Sequence, residues 1–298
     1  MQKLLLLGDE AIAQAALDAG LSGVYAYPGT PSTEIMEYVQ RSKQAEAGNV
    51  HRKWSANEKT AMEAAIGMSY AGKRAIVCMK HVGLNVAADP FMNSAITGAN
   101  GGLIVLVADD PSMHSSQDEQ DSRYYARFAQ IPYVEPSNQQ EAYDLTHFAF
   151  ELSERLHTPV LMRVTTRLAH SRAGVVTRES RPQNEINLCS NPKQFILLPA
   201  NARRQYVELI EKNVEFIKSS ETSGNNKYID GTDKSMGIIA SGIAYNYLME
   251  NYPDRNCPYP VLKITQYPLP TAMIEKMADE CESILVAEEG YPLIEEQL

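Results

Sequence analysis

The sequence lacks most of the short motifs that identify common α/β enzymes. It contains no GxGxxG after a predicted strand, no GxxxxGK[ST], no GxSxG and no HExxH. A dinucleotide fingerprint, a P-loop, a hydrolase nucleophile elbow and a zincin site therefore have no local support. The four cysteines form no CxxC pair, so a zinc ribbon or an iron–sulfur cluster within the chain is also unsupported. Such scattered cysteines indicate free thiols in a reducing compartment.

Long apolar runs and an excess of basic residues are missing as well. No run reaches the roughly 18 apolar residues of a membrane span, and the N-terminal apolar stretch is too short for a signal peptide. We therefore expect a cytoplasmic protein that does not enter a membrane. With 27 basic and 37 acidic residues the net charge is −10, which disfavours nucleic acid as a partner. A phosphorylated ligand remains open, because it needs only a local positive site.

What the chain does contain is an alternation of buried strands and helices. Continuous apolar runs occur at residues 24–27, 75–79, 103–107 and 159–164, and helical stretches lie between them. Unbroken apolar runs are typical of strands that are buried on both faces, with helices as crossovers. The sequence predicts an α/β fold: a parallel sheet with helices on both faces, followed by a smaller, incomplete α/β domain.

The 298 residues are long enough for one large domain or two ordinary ones. We expect a first domain over residues 1–175. A connector with one amphipathic helix follows over residues 176–235, where turn residues become frequent. A second small α/β unit is expected over residues 236–298, and three βα units would leave its sheet under-filled, as in a truncated chain.

Ligands of parallel α/β sheets bind at the carboxyl ends of the strands. The segments that follow strands here are residues 28–32, 80–85 and 108–117. Thr30 in the first and Lys80 and His81 in the second would lie at that edge with polar groups available. The alternatives are ordinary turn chemistry for the first segment and a surface loop for the second, with Asn85 as an early-helix polar residue.

Two acidic residues are placed to begin helices. Asp9 is interpreted as the cap of the first helix. Ser55 and Glu58 have the spacing of a capping box, which would make Glu58 its third helical residue. The alternative for Glu58 is a buried carboxylate that exchanges a proton with a ligand nitrogen.

The loop 108–117 is too polar for a simple turn. Together with Asp121, Arg123 and Arg127 we interpret it as either a ligand loop or a solvated, subunit-facing segment. His114 has no second ligand at a useful spacing, so a metal site there is not expected.

Five motifs occur in order along the chain and together indicate a family. They are Tyr27-Pro28-Gly29-Thr30-Pro31, Asn57-Glu58-Lys59, Ser69-Tyr70-Ala71-Gly72, Lys80-His81-Val82-Gly83-Leu84-Asn85 and His114-Ser115-Ser116-Gln117. With them the sequence closely resembles the amino-terminal part of the alpha subunits of indolepyruvate:ferredoxin oxidoreductases. These belong to the thiamine-diphosphate-dependent 2-oxoacid:ferredoxin oxidoreductases. The resemblance is strongest up to residue 172 and is clear again at 237–246 and 288–291.

The resemblance implies roles for individual residues. Residues 1–172 resemble the domain that binds the aminopyrimidine ring, and a glutamate matching Glu58 hydrogen-bonds a ring nitrogen there and promotes loss of the thiazolium proton. Thr30 would face both cofactor and substrate, and His114 would face the substrate. Lys80 and Asn85 would contact the cofactor, with His81 as a catalytic acid–base or specificity residue.

The resemblance also implies a reaction and partners. It predicts oxidative decarboxylation of an aryl pyruvate to the acyl-coenzyme A, with electrons passing to ferredoxin. Expected partners are a beta subunit, ferredoxin, coenzyme A and a second copy in a dimer. The pyruvate enzymes use an arginine after the strand matching 103–107, where this sequence has Asp109-Asp110. This replacement favours a substrate other than pyruvate.

Two parts of such subunits have no match in this sequence: a GDG…N magnesium motif and a cysteine-rich ferredoxin-like domain. We therefore expect a fragment or truncated relative that shares thiamine diphosphate and magnesium with a missing domain and is inactive alone. The iron–sulfur clusters would lie only in the absent part. The alternative is a non-catalytic assembly module of the same fold.

Overall fold

The protein is described by a computed structural model that covers residues 2–252 and 254–298. The strands are β1 (Lys3–Leu7), β2 (Gly23–Ala26), β3 (His51–Trp54), β4 (Ala75–Lys80), β5 (Leu103–Asp109), β6 (Tyr133–Val134), β7 (Val160–Thr165), β8 (Arg172–Val176), β9 (Lys227–Ile229), β10 (Gly237–Ser241), β11 (Val261–Ile264), β12 (Gln266–Tyr267) and β13 (Ile284–Ala287). The helices are α1 (Gly8–Asp18), α2 (Thr33–Arg41), α3 (Lys43–Ala47), α4 (Glu58–Tyr70), α5 (His81–Val86), α6 (Ala88–Thr97), α7 (Ser122–Ala129), α8 (Gln139–Leu156), α9 (Thr166–His170), α10 (Pro199–Thr222), α11 (Gly242–Glu250) and α12 (Thr271–Glu280).

A seven-stranded sheet forms the centre of the molecule, in the order β12-β6-β7-β5-β4-β2-β3. Neighbouring strands are parallel except for the pair β12–β6. All residues of β5 and β7 are buried, as the unbroken apolar runs predict. Helices flank the sheet, which confirms the predicted α/β fold class. Among the described helices, none combines the length and apolar character needed to cross a membrane.

A second, smaller sheet follows in the order β13-β10-β11-β9, with β9 antiparallel to its neighbour. The two units share contacts, because β12 leaves the smaller unit and pairs with β6 in the central sheet. A third pairing, antiparallel, joins β1 to β8. The domain boundaries at 175 and 235 stay a prediction.

A buried network of charges lies between the two units. The side chains of Arg123 and Arg163 are fully buried. Their carboxylate partners are Asp109, Asp121, Glu135 and Glu288. Although burial lowers the pKa of Arg163, the surrounding carboxylates raise it above its usual value. Arg123 itself is not solvated, because it is buried and pairs with Glu288 after β13. Residues 112–115, Gln117 and Arg127 are exposed, as the solvated interpretation of this loop predicts.

Local details differ from the sequence-based prediction in two places. The helical stretch predicted between the runs at 75–79 and 103–107 is divided into two helices, α5 and α6, which meet at Ala87. The edge strand β3 was not predicted, because three of its four residues, His51, Arg52 and Lys53, are polar or charged. A parallel edge strand tolerates such residues, since only one side is paired.

Candidate functional site

The carboxyl ends of β2, β4 and β5 meet at one edge of the central sheet, because these strands are parallel neighbours. The turn at residues 28–32, helix α5 and the loop after β5 begin there. The stem of Lys80 lies against Gly29, where an added Cβ would be 3.5 Å from Lys80 Cδ. The Lys80 ammonium donates a hydrogen bond to the carbonyl of Ser115 at 3.2 Å. The three segments expected from the sequence are therefore brought together.

Glu58 does not cap a helix. The N-cap of α4 is Asn57, whose side-chain oxygen accepts a hydrogen bond from the Thr60 amide at 2.9 Å. The Thr60 hydroxyl completes the capping box by accepting from the Asn57 amide at 3.3 Å. The prediction that Ser55 and Glu58 form this box is wrong, because the helix begins two residues later than their spacing implies. Glu58 is the first helical residue, and its side chain is free for another role.

The Glu58 side chain is half-buried against Gly83 of α5. A Cβ built on Gly83 would lie 2.6 Å from Glu58 Oε1 and 2.8 Å from its Cγ. Only a residue without a side chain permits this approach. No hydrogen bond or ion pair joins the carboxylate to any residue between 2 and 252 or between 254 and 298. A carboxylate held this way can accept a hydrogen bond from a ligand.

His81 follows β4 directly, as expected, but its ring is 1% exposed. Its Nε2 lies 3.2 Å from the carbonyl oxygen of Asp118 and 3.4 Å from a carboxylate oxygen of the same residue. Its Nδ1 is buried and has no hydrogen-bond partner among the described residues. The His81 ring therefore contacts the loop after β5 through Asp118. The acid–base role of His81 stays a prediction.

The three other candidates lie at the surface of this chain. Thr30 is exposed in the turn after β2, and His114 is exposed on the loop after β5. Asn85 is also exposed, and its side-chain oxygen accepts a hydrogen bond from the Tyr125 hydroxyl. Each can be reached by a ligand at the sheet edge, and none is held in a closed pocket.

The acidic pair after β5 is structural. Asp110 accepts hydrogen bonds from the Ser116 hydroxyl at 2.7 Å and the Thr166 hydroxyl at 2.6 Å. Burial opposes ionisation, but these hydrogen bonds lower the pKa of Asp110 to about 2. Asp109 is fully buried, 2.5 Å from Arg163 Nε. The pair anchors its loop, so the expectation that it bears on substrate choice has no support in this geometry.

Comparison with known proteins places the chain in a family. The family model described as "Pyruvate flavodoxin/ferredoxin oxidoreductase, thiamine diP-bdg" matches residues 14–217. The chain belongs to this family. The indolepyruvate oxidoreductase subunit IorA of Archaeoglobus fulgidus is 43% identical over 99% of this chain and 48% of its own length. The IorA subunit of Pyrococcus horikoshii is 44% identical over the whole chain and 47% of its own length. The chain thus spans about half the length of these curated relatives, and the resemblance found in the sequence is confirmed.

A solved structure supports the fold. The 2-oxoglutarate:ferredoxin oxidoreductase of Magnetococcus marinus superimposes with a TM-score of 0.77 at 16% identity, over 95% of this chain and 57% of that one. At such low identity the likeness concerns the arrangement of strands and helices alone.

Gly83 is the residue that sequence reasoning missed. It lies inside the motif from Lys80 to Asn85, but a single sequence does not show what its missing side chain would contact. Only the path of α5 beside the start of α4 reveals that the glycine makes room for Glu58.

Proposed function

We propose that this chain forms the aminopyrimidine side of a thiamine-diphosphate site in a 2-oxoacid:ferredoxin oxidoreductase. The observation that carries the proposal is the Glu58 carboxylate, half-buried and unpartnered among the described residues, at the sheet edge where the three predicted segments meet. The family to which the chain belongs is described as binding this cofactor.

The residues at this edge fit a heteroaromatic ring with a basic nitrogen. The carboxylate offers a charged acceptor, and Gly83 leaves room for that carboxylate because it has no Cβ. When bound, thiamine diphosphate supplies an acidic ring carbon that can add to the carbonyl of a 2-oxoacid. Glu58 would hold a proton at the ring nitrogen through a short charge-assisted hydrogen bond. Because α4 fixes the backbone of Glu58 by the Asn57 cap, the carboxylate is positioned before the ligand arrives.

The remaining candidates complete the proposed site. Thr30 and Lys80 would contact cofactor near the turn after β2, with Asn85 beside them. His114 would face the substrate from the opposite loop. His81, which contacts Asp118, would act by positioning that loop or by proton transfer after the loop moves.

We further propose an aryl pyruvate as substrate, since the two relatives described above are named indolepyruvate oxidoreductase subunits. Coenzyme A, ferredoxin, a beta subunit and a second copy of the chain would be partners. The sequence has no GDG motif, so the magnesium and diphosphate groups would be held by another domain, as would the iron–sulfur clusters. In this proposal residues 1–175 are the pyrimidine-binding domain, 176–235 the connector and 236–298 a unit similar to the transketolase C-terminal domain.

Substitution of Glu58→Gln in the intact oxidoreductase tests the site. The amide keeps the shape but loses the charge, so we expect kcat to fall by about 10²–10⁴-fold with the melting temperature unchanged. Glu63→Gln is the matched control, because Glu63 lies on the same helix with 52% of its side chain exposed. Near-normal turnover of Glu58→Gln would contradict the proposal and favour the non-catalytic assembly module.

The isolated chain gives a second test. Without a diphosphate-binding domain it retains only one side of the site, so calorimetry with thiamine diphosphate and magnesium should show weak binding and no turnover. Tight binding by the chain alone would show that it holds the diphosphate itself.

A further inference from the structure

Three side chains that belong to none of the predicted sites converge beside the central sheet. They are Asp9 of α1, Glu34 in the first turn of α2 and His170 at the end of α9. One ligand atom from each lies within 4.8 Å of the other two. These three residues are far apart in the sequence, and it is the fold that brings them close together.

Three of the four carboxylate oxygens in this group have no hydrogen-bond partner among the described residues. Asp9 is fully buried, and both of its carboxylate oxygens are without a hydrogen bond among the described residues. The same holds for Glu34 Oε2, while Glu34 Oε1 lies 3.4 Å from His170 Nε2. Burial of an unpaired carboxylate is costly, and buried groups of this kind are normally satisfied by protein, water or an ion.

The expectation that Asp9 caps the first helix is wrong, which leaves its burial unexplained by capping. The Leu7 amide at the helix start donates instead to Glu10 at 2.9 Å. Asp9 lies one residue inside α1 and points to the neighbouring helices rather than to the backbone amides of its own first turn.

Backbone contacts hold two of the three groups, Asp9 and His170, close together. The Gly8 amide donates to the carbonyl of Ser171 at 3.2 Å, which ties the start of α1 to the end of α9. A Cβ on Gly8 would lie 2.2 Å from the Leu168 carbonyl oxygen, so the two helices approach as closely as glycine permits. The backbone contacts between α1 and α9 therefore place Asp9 close to His170.

We propose that Asp9, Glu34 and His170 bind a divalent transition metal ion, with Zn²⁺ as the best match. One imidazole nitrogen with two carboxylates is a donor set that Zn²⁺ accepts, whereas Mg²⁺ and Ca²⁺ prefer oxygen alone. The side chains of Glu34 and His170 are about one third exposed, at 31% and 35%, which gives the ion a path of entry and a place for water as fourth ligand.

The metal ion would link the three helices α1, α2 and α9 through one ligand from each. Ligand atoms in a tetrahedral zinc site lie about 3.3 Å apart at metal distances of about 2.0 Å. The ligand atoms of Asp9, Glu34 and His170 now lie within 4.8 Å of one another, so side-chain rotations can bring them to the zinc-site separation. Glu34 and His170 can supply that movement because both are only partly buried.

The test is zinc binding by the purified chain after dialysis against a chelator. Calorimetry should show one saturable Zn²⁺ site, and zinc should raise the melting temperature. Asp9→Asn and His170→Ala should each weaken binding by about tenfold or more and abolish the thermal shift. His170→Ala keeps the test decisive if Asp9→Asn folds poorly, because His170 is partly exposed.

Two controls separate this site from other zinc ligands on the chain. Glu37→Gln removes an exposed carboxylate from the same helix α2, and His51→Ala removes an exposed histidine elsewhere. Both should bind zinc as the unmodified chain does. The proposal is overturned if the chain binds no zinc, or if binding survives in both Asp9→Asn and His170→Ala. The second result would assign the metal to cysteine thiols or surface groups.

Discussion

At the scale of single residues, the site depends on the contact between Glu58 and Gly83. The Glu58 carboxylate occupies space that any larger residue at position 83 would take. Because the atoms in conflict belong to the end of a flexible side chain, Glu58 would move before the helix does. The contact therefore controls the position of a functional group more than it controls stability.

Gly83→Ala should accordingly lower turnover of the intact oxidoreductase by about tenfold to a hundredfold, because the carboxylate is displaced by about an ångström. Stability should hold or rise slightly, since alanine favours a helix over glycine by roughly 0.5–1 kcal/mol. Steady-state kinetics and thermal melting measure the two effects separately.

Gly67→Ala is the control for this substitution. Gly67 lies in α4, and nothing outside its own helix backbone is within 4 Å of an added Cβ. It should gain the same helix propensity with unchanged kcat. Equal turnover in both alanine variants would show that Gly83 does not position Glu58.

At the scale of elements, the start of α4 is decided by Asn57. Its side chain caps the helix, and the reciprocal bond from Thr60 completes the motif. Glu58 therefore takes no part in the capping hydrogen bonds. Asn57 caps the helix, and the adjacent Glu58 is available for the proposed functional role.

Asn57→Ala should lower the free energy of unfolding by about 1 kcal/mol, because an N-cap hydrogen bond is lost. Ser55→Ala should change it little, since Ser55 precedes the helix. Chemical denaturation of the two variants distinguishes the observed cap from the one expected from spacing. A larger loss in Ser55→Ala would place the cap where the sequence pattern suggested it.

The elements predicted well are those with one strong local pattern. The strands β2, β4 and β5 are continuous apolar runs, and the structure finds them within two residues of the predicted bounds. The edge strand β3 and the two-residue strands β6 and β12 were not predicted, because they are strands by virtue of their pairing with neighbours and not of a local sequence pattern.

The candidate site also contains features that could be predicted from the sequence and features that could not. The segments at the sheet edge could be predicted, because topology alone brings the ends of parallel strands together. The contact with Gly83, the burial of His81 and the cluster around Asp9 could not, since each depends on how two distant helices approach each other.

At the scale of the whole molecule, the buried charge network joins the two units. Arg123 donates to Glu288 at 2.9 Å, and Arg163 donates to the Glu289 carbonyl at 2.8 Å. Both acceptors follow β13 of the smaller sheet, while both arginines belong to the larger unit. Charged hydrogen bonds in a buried interface fix its geometry, because a displacement would leave buried charges without their partners.

Arg163→Leu should lower the free energy of unfolding by about 3–5 kcal/mol, because it leaves several carboxylates buried without their cation. Arg178→Leu is the control: Arg178 pairs with Asp144 at 2.7 Å, but both side chains are over 40% exposed. That change should cost less than about 1 kcal/mol. Urea denaturation compares them, and similar losses would mean that the buried network adds nothing beyond a surface pair.

The antiparallel strand β12 has a consequence for how the molecule avoids self-association. It covers the outer side of β6, and the ring of Tyr267 stacks on Tyr133 at 4.3 Å between centroids. Without this short segment the open backbone of β6 would be a template on which strands from other molecules could add. Residues 266–267 of the smaller unit therefore cover a strand edge of the larger unit at which such strand addition would otherwise be possible.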